Sequence, residues 1–311
     1  MKKNYITIDG GTTNTRISLV TDNRVISTLK FGIGARNSID NCTAYKDTIK
    51  NGIIEILDKN NLKEKDIICI IASGMITSEF GLVNLPHIKT PAGIKELNLN
   101  MYKTQLPEIS PIQFVFIRGV KTDCDSLVSA DMMRGEETEL MGILDEGECI
   151  YILPGSHSKI IKTDKNGKIT DFKTMLTGEM IMSISQNTIL KDAVDIKNSE
   201  TNKDYLLKGY NYCSDFGINE ALFKVRVLKN LFGENSKNVY SFYLGIVLCD
   251  EIKSILKGNP KKIVIGGKKQ IKNAMHSILS SLSESNVISL SDNEVDSSSA
   301  LGAVKIFEYN N

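Results

Sequence analysis

A strand, glycine turn and strand at the N-terminus recur in the middle of the chain, and this repetition limits the fold more than any other feature. Residues 5–9 alternate as a strand does, a glycine pair marks a turn at 10–11, and residues 15–20 resume the alternation. Three further elements follow. They are a short strand at 24–29, a helix at 44–58 whose apolar residues recur at helical spacing, and a strand at 67–72 that is buried on both faces. The first third therefore reads β-β-β-α-β.

The second cycle begins with a helix predicted over 131–144. A hairpin turn with a glycine suited to positive φ is predicted at 164–168. The other strands and helices predicted for this half are 149–153, 159–163, 169–173, 240–256, 262–265 and 297–309. Two such β-β-β-α-β-α cycles predict an α/β protein of two similar lobes with a central cleft, an N-terminal lobe at 1–130 and a C-terminal lobe at 131–311. Single hydrophobic cores usually stop growing at roughly 250–300 residues, which agrees with two domains.

The composition excludes several classes of protein. Lys+Arg at 38 against Asp+Glu at 37 gives a net charge of +1, too balanced for the broad basic footprint of a nucleic-acid binder. The six cysteines are scattered without a C-x-x-C pair, which indicates neither a zinc site nor a disulfide framework and favours a reducing compartment. No apolar run approaches a membrane span of about 20 residues, so we expect a cytoplasmic protein without a membrane partner.

The N-terminal hairpin carries groups suited to phosphate. Because glycine has no Cβ, a glycine pair lets the backbone approach a ligand, and main-chain N–H groups and threonine hydroxyls can cradle phosphate oxygens. Asp9 at the strand end is placed to hold Mg²⁺, which prefers one or two carboxylates plus substrate phosphates. An ordinary tight turn is the alternative, but the hydroxyls and arginine beside this turn favour phosphate. The residues predicted to bind ATP phosphates here are Asp9, Gly10, Gly11, Thr12 and Thr13.

A second glycine turn follows the predicted strand at 149–153. Its glycine again permits close backbone approach, two serines offer hydroxyls and a lysine offers a positive charge. A hydrogen-bonded loop histidine is the plain alternative for His157, which is not assigned as a base. The residues predicted to bind phosphate at this turn are Gly155, Ser156, His157, Ser158 and Lys159.

Two adjacent glutamates, Glu136 and Glu137, stand before the apolar part of the predicted central helix. Acids in the first turn of a helix suit the helix dipole and need no further role. Alternatively, a carboxylate at this place takes the proton of an acceptor hydroxyl as that hydroxyl attacks phosphorus. Both interpretations stay open at the level of these residues alone.

The motifs together resemble a known family. Residues 9–13 resemble the first phosphate motif of the actin, heat-shock ATPase and sugar-kinase superfamily, and residues 153–159 resemble its second. More specifically, Met-Arg-Gly-Glu-Glu-Thr-Glu-Leu at 133–140, Pro-Gly-Ser-His-Ser-Lys at 154–159 and Leu-Thr-Gly-Glu at 176–179 resemble the 2-dehydro-3-deoxygalactonokinase family. The resemblance implies a two-lobed ribonuclease H-like (actin/hexokinase-type) fold, with ATP and Mg²⁺ as cofactors and a small-molecule sugar acid as substrate.

The resemblance also implies roles for particular residues. In superfamily sugar kinases the catalytic carboxylate lies just before the helix that leads into the second phosphate hairpin, which implies Glu137 as the base and Glu136 as its rival. The glycine pair after the strand at 262–265 resembles the adenosine motif, the alternative being a helix N-terminus; the implied adenosine-binding residues are Gly266, Gly267 and Lys268. An arginine can grip a sugar-acid carboxylate bidentately. The predicted substrate-binding residues are Gly74, Met75, Ser78, Arg118, Arg134 and Glu179, with Arg36 as a further arginine candidate.

The function implied is ATP-dependent phosphorylation of the terminal hydroxyl of 2-dehydro-3-deoxy-D-galactonate to the 6-phosphate, a step of galactonate catabolism. A kinase for another sugar acid and a non-catalytic nucleotide-binding protein of the same fold stay as alternatives. A dinucleotide enzyme is excluded because no G-x-G-x-x-G motif occurs. Whether the chain forms a homo-oligomer is left open.

Overall fold

The computed structural model describes residues 2–38, 42–145, 147–197, 200–267 and 269–309. They divide into two units, each described by itself. The first unit comprises Met1–Gly147, Asp164–Asp171 and Asn293–Asn311, and the second comprises Glu148–Thr163 and Phe172–Asp292. This division differs from the predicted boundary at residue 130, because the segment up to Gly147 and the C-terminal segment both belong to the first unit.

The described strands and α-helices run as follows. Up to residue 147 they are β1 (Asn4–Gly10), β2 (Thr15–Thr21), β3 (Arg24–Phe31), α1 (Cys42–Lys59), β4 (Ile70–Gly74), β5 (Ile88–Lys89), α2 (Ile94–Leu99), β6 (Tyr102–Leu106), β7 (Ser110–Phe116), β8 (Val120–Lys121), β9 (Met132–Met133) and α3 (Glu136–Ile143). From residue 148 they are β10 (Cys149–Leu153), β11 (Ser158–Thr163), β12 (Ile169–Met175), α4 (Thr177–Asn187), α5 (Lys203–Phe216), α6 (Ile218–Asn230), α7 (Ser236–Leu256), β13 (Lys262–Ile265), α8 (Lys269–Leu282), β14 (Asn286–Ser289) and α9 (Asp292–Glu308).

The first five strands of the six-stranded main sheet are arranged like the five strands of the other main sheet. Their strand orders are β3-β2-β1-β4-β7-β6 and β12-β11-β10-β13-β14. In each sheet, parallel strands extend an antiparallel hairpin. In the first sheet β4 and then β7 follow β1, and in the second β13 and then β14 follow β10. Strands β5, β8 and β9 form a separate small sheet. The predicted pair of β-β-β-α-β cycles and the ribonuclease H-like fold are thereby confirmed.

Helix α1 covers one face of the first sheet because its apolar side chains recur at helical spacing. Ile49, Ile53 and Ile56 are at most 2% exposed and lie in one core cluster with the sheet residue Ile17. A Cβ at Gly52 would lie 2.5 Å from the Ile17 side chain, so the helix reaches the sheet only with a glycine there.

The helix predicted over 131–144 begins later, at Glu136. Residues 132–133 instead form β9, which pairs with β8. Gly135 has φ +116°, a value outside the right-handed helical region, and it separates the strand from the helix. The prediction was wrong for these first residues because tertiary pairing overrode a helix-favouring composition.

The C-terminal helix α9 packs directly on α3, which explains its place in the first unit. A Cβ at Gly142 would lie 2.0 Å from the Ser298 carbonyl oxygen, and a Cβ at Gly302 would lie 1.9 Å from the Thr138 carbonyl oxygen. The two backbones therefore touch, and no larger residue fits at either glycine.

Three predicted elements are present with shifted ends. The strand expected at 67–72 is β4, the helix expected at 240–256 is α7, and the helix expected at 297–309 is α9. The ends of helices and strands are commonly uncertain by one or two residues, but α7 and α9 each gain about a turn at the N-terminal end.

Helix α7 forms the centre of the second unit. Its residues are buried on nearly all sides, from Val239 to Ile255. Close backbone contact with α5 occurs at Gly245, where a Cβ would lie 2.1 Å from the Leu206 carbonyl oxygen. Among the described helices, including this one, none combines the length and apolar character that crossing a bilayer requires.

Candidate active site

The turn between β1 and β2 is closed by a hydrogen bond from the Gly11 N–H to the Asn14 carbonyl oxygen (2.8 Å). The side chains of Thr12 and Thr13 are exposed. Within the described part of the chain, their backbone N–H groups have no acceptor. The turn lines a groove of about 390 Å³. The donors that the predicted phosphate cradle requires are therefore present here.

The segment after β3 supports this turn from one side. The N–H groups of Ala35 and Arg36 donate to the carbonyl oxygens of Gly11 (3.0 Å) and Thr12 (2.9 Å). A Cβ at Gly34 would lie 2.5 Å from backbone atoms of the turn, so only glycine permits this contact. Gly34 was not among the predicted site residues, because it is distant in sequence from the turn it touches.

Asp9 lies at the end of β1 among charged neighbours. Its Oδ2 atom is 3.6 Å from Arg16 Nη1. Burial raises the pKa of Asp9; the Arg16 charge and a hydrogen bond with Ser299 oppose this, and the Glu136 charge adds to it. Burial, with the charges of Asp9 and Glu136, raises the pKa of Glu139 to about 8. The acids outnumber the cations around Asp9, so a bound cation would be favoured electrostatically.

Three glycines bring β1, β4 and α3 into close contact. Gly10 is the register partner of Gly74 across the parallel strands. Gly74 has φ +86°, and a Cβ there would lie 2.6 Å from the Gly10 carbonyl oxygen. A Cβ at Gly135 would lie 3.2 Å from the Gly74 Cα. The turn before α3 is therefore placed beside the ends of both strands.

Glu137, in the first turn of α3, is completely buried. The Gly135 N–H donates to both of its carboxylate oxygens at 2.9 and 2.8 Å, and the Thr138 hydroxyl donates to Oε1 at 3.1 Å. Burial, with the neighbouring Glu136 charge, raises the pKa of Glu137 to about 8, while these hydrogen bonds oppose the rise. The structure thus holds one oriented carboxyl group beside the Gly10 and Gly74 contact.

Glu136 lies in a different environment. It is partly exposed, and its Oε2 atom accepts from the Arg134 N–H at 3.0 Å. The two glutamates therefore point to separate surroundings, although they are adjacent in sequence.

The Arg134 guanidinium is engaged by the protein itself. Nη1 donates to the carbonyl and hydroxyl oxygens of Thr77 at 2.7 and 2.6 Å, and Nη2 donates to the Leu85 carbonyl oxygen at 3.0 Å. Nη2 also lies 3.3 Å from His87 Nδ1. Burial and the Arg134 and Lys121 charges lower the pKa of His87 to about 4, so a neutral ring accepts at Nδ1. This arginine ties β9 to the loop after β4.

The remaining predicted substrate-binding residues of the first unit differ in what their side chains contact. Arg118 donates from Nε to the Asn100 carbonyl oxygen at 2.8 Å and from Nη1 to that of Pro86 at 3.4 Å. The Ser78 hydroxyl is buried and donates to the Met75 carbonyl oxygen at 2.7 Å, within its own turn. Met75 is itself partly buried against the core of the unit. Ser78 thus stabilises the loop that Gly74 opens.

In the second unit, the hairpin between β10 and β11 also presents backbone donors. No described residue accepts from the N–H groups of Gly155, Ser156 and His157. Ser158 is completely buried and its hydroxyl donates to a carboxylate, so that hydroxyl does not face a ligand, which differs from its predicted role. Lys159 is also buried, at 4% exposure.

The first turn of α4 packs on this hairpin. A Cβ at Gly178 would lie 2.3 Å from the Gly155 carbonyl oxygen. The Glu179 N–H donates to the Ser156 carbonyl oxygen at 3.3 Å, and His157 Nε2 lies 2.9 Å from Glu179 Oε1. The Thr-Gly-Glu motif and the second turn thus form one structural group.

The glycine pair after β13 joins the same group. Gly267 has φ +73°, and a Cβ there would lie 2.4 Å from the Pro154 carbonyl oxygen. The Gly266 N–H donates to the Ile152 carbonyl oxygen at 2.8 Å. Lys268, the third predicted adenosine residue, lies outside the described residues.

Comparison with solved structures shows the fold of the chain. A candidate 2-dehydro-3-deoxygalactonokinase from Sinorhizobium meliloti has a TM-score of 0.76 at 22% identity, with 97% of each chain covered. The activator of the 2-hydroxyisocaproyl-CoA dehydratase from Clostridium difficile, with bound ADPNP, has a TM-score of 0.52 at 13% identity, covering 99% of this chain and 95% of that one. These similarities show that the chain shares the fold of both proteins.

The sequence comparison then gives the family. Residues 9–297 match the 2-keto-3-deoxy-galactonokinase family, and the chain belongs to it. A candidate 2-dehydro-3-deoxygalactonokinase from Rhizobium meliloti (strain 1021) is 27% identical over 195 residues, 61% of this chain and 59% of that protein. The match thus spans less than two thirds of this relative's length. The family expected from the motifs is confirmed.

Proposed function

We propose that this chain is an ATP-dependent kinase that phosphorylates the terminal hydroxyl of 2-dehydro-3-deoxy-D-galactonate. The observation that carries the proposal is the buried carboxyl group of Glu137, oriented by the Gly135 N–H beside the ends of β1 and β4. Membership of the 2-keto-3-deoxy-galactonokinase family supports the reaction class. A small-molecule sugar acid is accordingly the proposed substrate class.

Glu137 is the proposed general base. It would accept the proton of the acceptor hydroxyl as that oxygen attacks the γ-phosphorus. Its raised pKa of about 8 makes the ionised form a stronger proton acceptor than an ordinary carboxylate, at the cost of a smaller ionised fraction at pH 7. Glu136, which accepts from the Arg134 N–H and is partly exposed, is the second choice.

Magnesium fits the chemistry around Asp9. Among the described residues, no three His, Cys, Asp or Glu side chains are grouped to hold a metal. A single carboxylate in acidic surroundings suits Mg²⁺, which usually binds one or two carboxylates together with waters and substrate phosphates. Asp9 would hold the ion with the nucleotide, and the ion would neutralise charge on the transferring phosphoryl group. The N–H groups of Thr12 and Thr13 would bind phosphate oxygens.

In the second unit, the proposed nucleotide contacts come from the hairpin and the glycine pair. The N–H groups of Gly155, Ser156 and His157 would donate to phosphate oxygens. Gly266 and Gly267 would let the backbone approach adenosine closely.

The carboxylate of the sugar-acid substrate requires a cationic side chain whose hydrogen-bond donors are not already used by the protein. Arg134 already contacts protein through both Nη atoms, so we propose that it holds the loop after β4 in place. For Arg118 Nη2, the described residues contain no acceptor, and we propose this atom as a carboxylate donor.

A panel of sugar acids in a coupled ADP-release assay with Mg²⁺ and ATP tests the function. We expect 2-dehydro-3-deoxy-D-galactonate to give the highest kcat/KM. Turnover of a different sugar acid alone would replace the substrate but keep the kinase. ATP binding without release of ADP for any acid would instead favour the non-catalytic alternative.

A further inference from the structure

A buried carboxyl group in the second unit has no part in the reaction proposed above. Glu251, on α7, is 2% exposed. The Ser158 hydroxyl donates to its Oε1 atom at 2.5 Å, and the Thr177 hydroxyl donates to its Oε2 atom. Glutamate is rarely buried so completely, because desolvation of its charge costs free energy unless hydrogen bonds offset the loss.

The two partners of Glu251 belong to two segments that meet at the hairpin. Ser158 begins β11, directly after the turn whose backbone N–H groups have no described acceptor. Thr177 begins α4, whose next residue, Gly178, packs on the Gly155 carbonyl oxygen. One carboxyl group therefore fixes the spacing between the end of the hairpin and the segment that covers it.

Helix α7 gives this carboxyl group a rigid base. The helix is 21 residues long and largely buried. Two turns before Glu251, the Tyr243 hydroxyl donates to the Ile181 carbonyl oxygen of α4 at 2.7 Å. Helix α7 therefore contacts α4 at two positions about two turns apart, through Tyr243 and through Glu251. These two contacts restrict movement of Glu251 relative to Thr177.

We propose that Glu251 is a positioning residue that sets the hairpin at 154–158 for binding the phosphates of a nucleoside di- or triphosphate. The inference rests on the proposed function. A carboxylate suits the task because each of its oxygens accepts one hydroxyl, so both segments are fixed at once. An amide has a single acceptor oxygen, and one of the two hydroxyls must then turn its proton away from it.

The test compares Glu251→Gln and Glu251→Leu with two matched controls. Glu234→Gln makes the same chemical change at a partly exposed glutamate of the same unit, which accepts from Tyr205 and Asn238. Leu248→Ala truncates a completely buried side chain one turn earlier on α7 and lowers stability without touching the carboxyl group. ADP affinity is measured by calorimetry, KM is measured for ATP and for the sugar acid, and thermal unfolding is followed for each variant.

We expect both Glu251 variants to weaken ADP binding and raise KM for ATP by about tenfold or more, with KM for the sugar acid unchanged. The controls should bind ADP as the wild type does, even where Leu248→Ala unfolds at a lower temperature. Should the Glu251 variants fail to fold, Ser158→Ala and Thr177→Val remove one donor each and should weaken ADP binding in the same direction.

Wild-type ADP affinity in folded Glu251→Gln, or in both Ser158→Ala and Thr177→Val, would overturn the inference. Equal weakening by Leu248→Ala would also overturn it, since Glu251 would then only support folding. If the wild-type protein does not bind ADP at all, both the proposed function and this inference fail. If the wild type binds ADP but the Glu251 variants bind it equally well, only this inference fails.

Discussion

Replacing Glu137 with glutamine tests the buried base with little change of shape. In Glu137→Gln the amide oxygen can accept from the Gly135 N–H, which now contacts both carboxylate oxygens, and the amide nitrogen can donate to the Thr138 hydroxyl oxygen. The variant should therefore fold. What it removes is the titratable proton and the ability to accept one from a substrate.

The effect on stability follows from the pKa of Glu137, which burial raises from 4.5 to about 8. The unfolded chain releases this proton near the lower value and the folded chain near the higher one. Between these values the folded state binds more protons, so the free energy of unfolding falls as pH rises. At about 1.4 kcal/mol per pKa unit, the limiting loss for this group is about 5 kcal/mol. Glutamine does not titrate, so the variant should lack this loss.

Urea unfolding at pH 5.5 and pH 8.5 measures the stability effect, and ADP release measures the rate. We expect Glu137→Gln to lose about 3 kcal/mol less stability than the wild type between the two pH values, because the loss from Glu139, whose pKa is also raised to about 8, stays in both proteins. The variant should also lower kcat by about 100-fold or more. Wild-type kcat/KM should rise with pH through about 8, because only the ionised carboxylate accepts a proton. Glu136→Gln is the matched comparison and should keep most of the rate. An equal pH dependence of stability in Glu137→Gln and wild type would refute the burial argument, and full turnover in Glu137→Gln with loss in Glu136→Gln would transfer the role to Glu136.

Two further substitutions address the first hairpin. Gly34→Ala places a Cβ 2.5 Å from the turn backbone, whereas the Cβ of the control Gly32→Ala meets nothing within 4 Å. Calorimetric melting should therefore show a loss of about 1–3 kcal/mol in the free energy of unfolding for Gly34→Ala only. Equal melting temperatures of the two variants would contradict the support of the turn by Gly34. Asp9→Asn removes the carboxylate proposed to hold Mg²⁺, and kcat measured against Mg²⁺ concentration should fall by about 100-fold with a higher Mg²⁺ requirement; an unchanged Mg²⁺ dependence would remove Asp9 from that role.

The local patterns of the sequence were enough to predict both hairpins and the repeated order of elements around them. Strand alternation around a glycine pair is a short-range signal, and it located β1, β2, β10 and β11 within a few residues. Strand β9 was missed because two methionines beside a run of glutamates favour a helix locally, and only pairing with β8 makes them a strand.

The candidate site was predictable where a motif is continuous and not where it is assembled by packing. Glu137 was predicted as the base from the resemblance, which places a carboxylate just before the helix that leads into the second phosphate hairpin, with Glu136 as the rival. Glu251 could not be predicted, since the α7 sequence reads as an apolar helix with two adjacent acids near its end. The partners of Glu251 lie 93 and 74 residues away in sequence. The hydrogen bond from Arg134 to the Thr77 hydroxyl likewise joins residues that lie 57 positions apart in sequence.

Mass spectrometry of the product tests the central claim most directly. Purified protein is incubated with Mg²⁺, ATP and 2-dehydro-3-deoxy-D-galactonate, and the product and ADP are quantified together, with phosphorus NMR to locate the phosphate. We expect one phosphoryl group on the terminal hydroxyl and one ADP for each product molecule. ADP formation no greater than in a control without the sugar acid, at concentrations where ATP is bound, would contradict the proposed kinase activity.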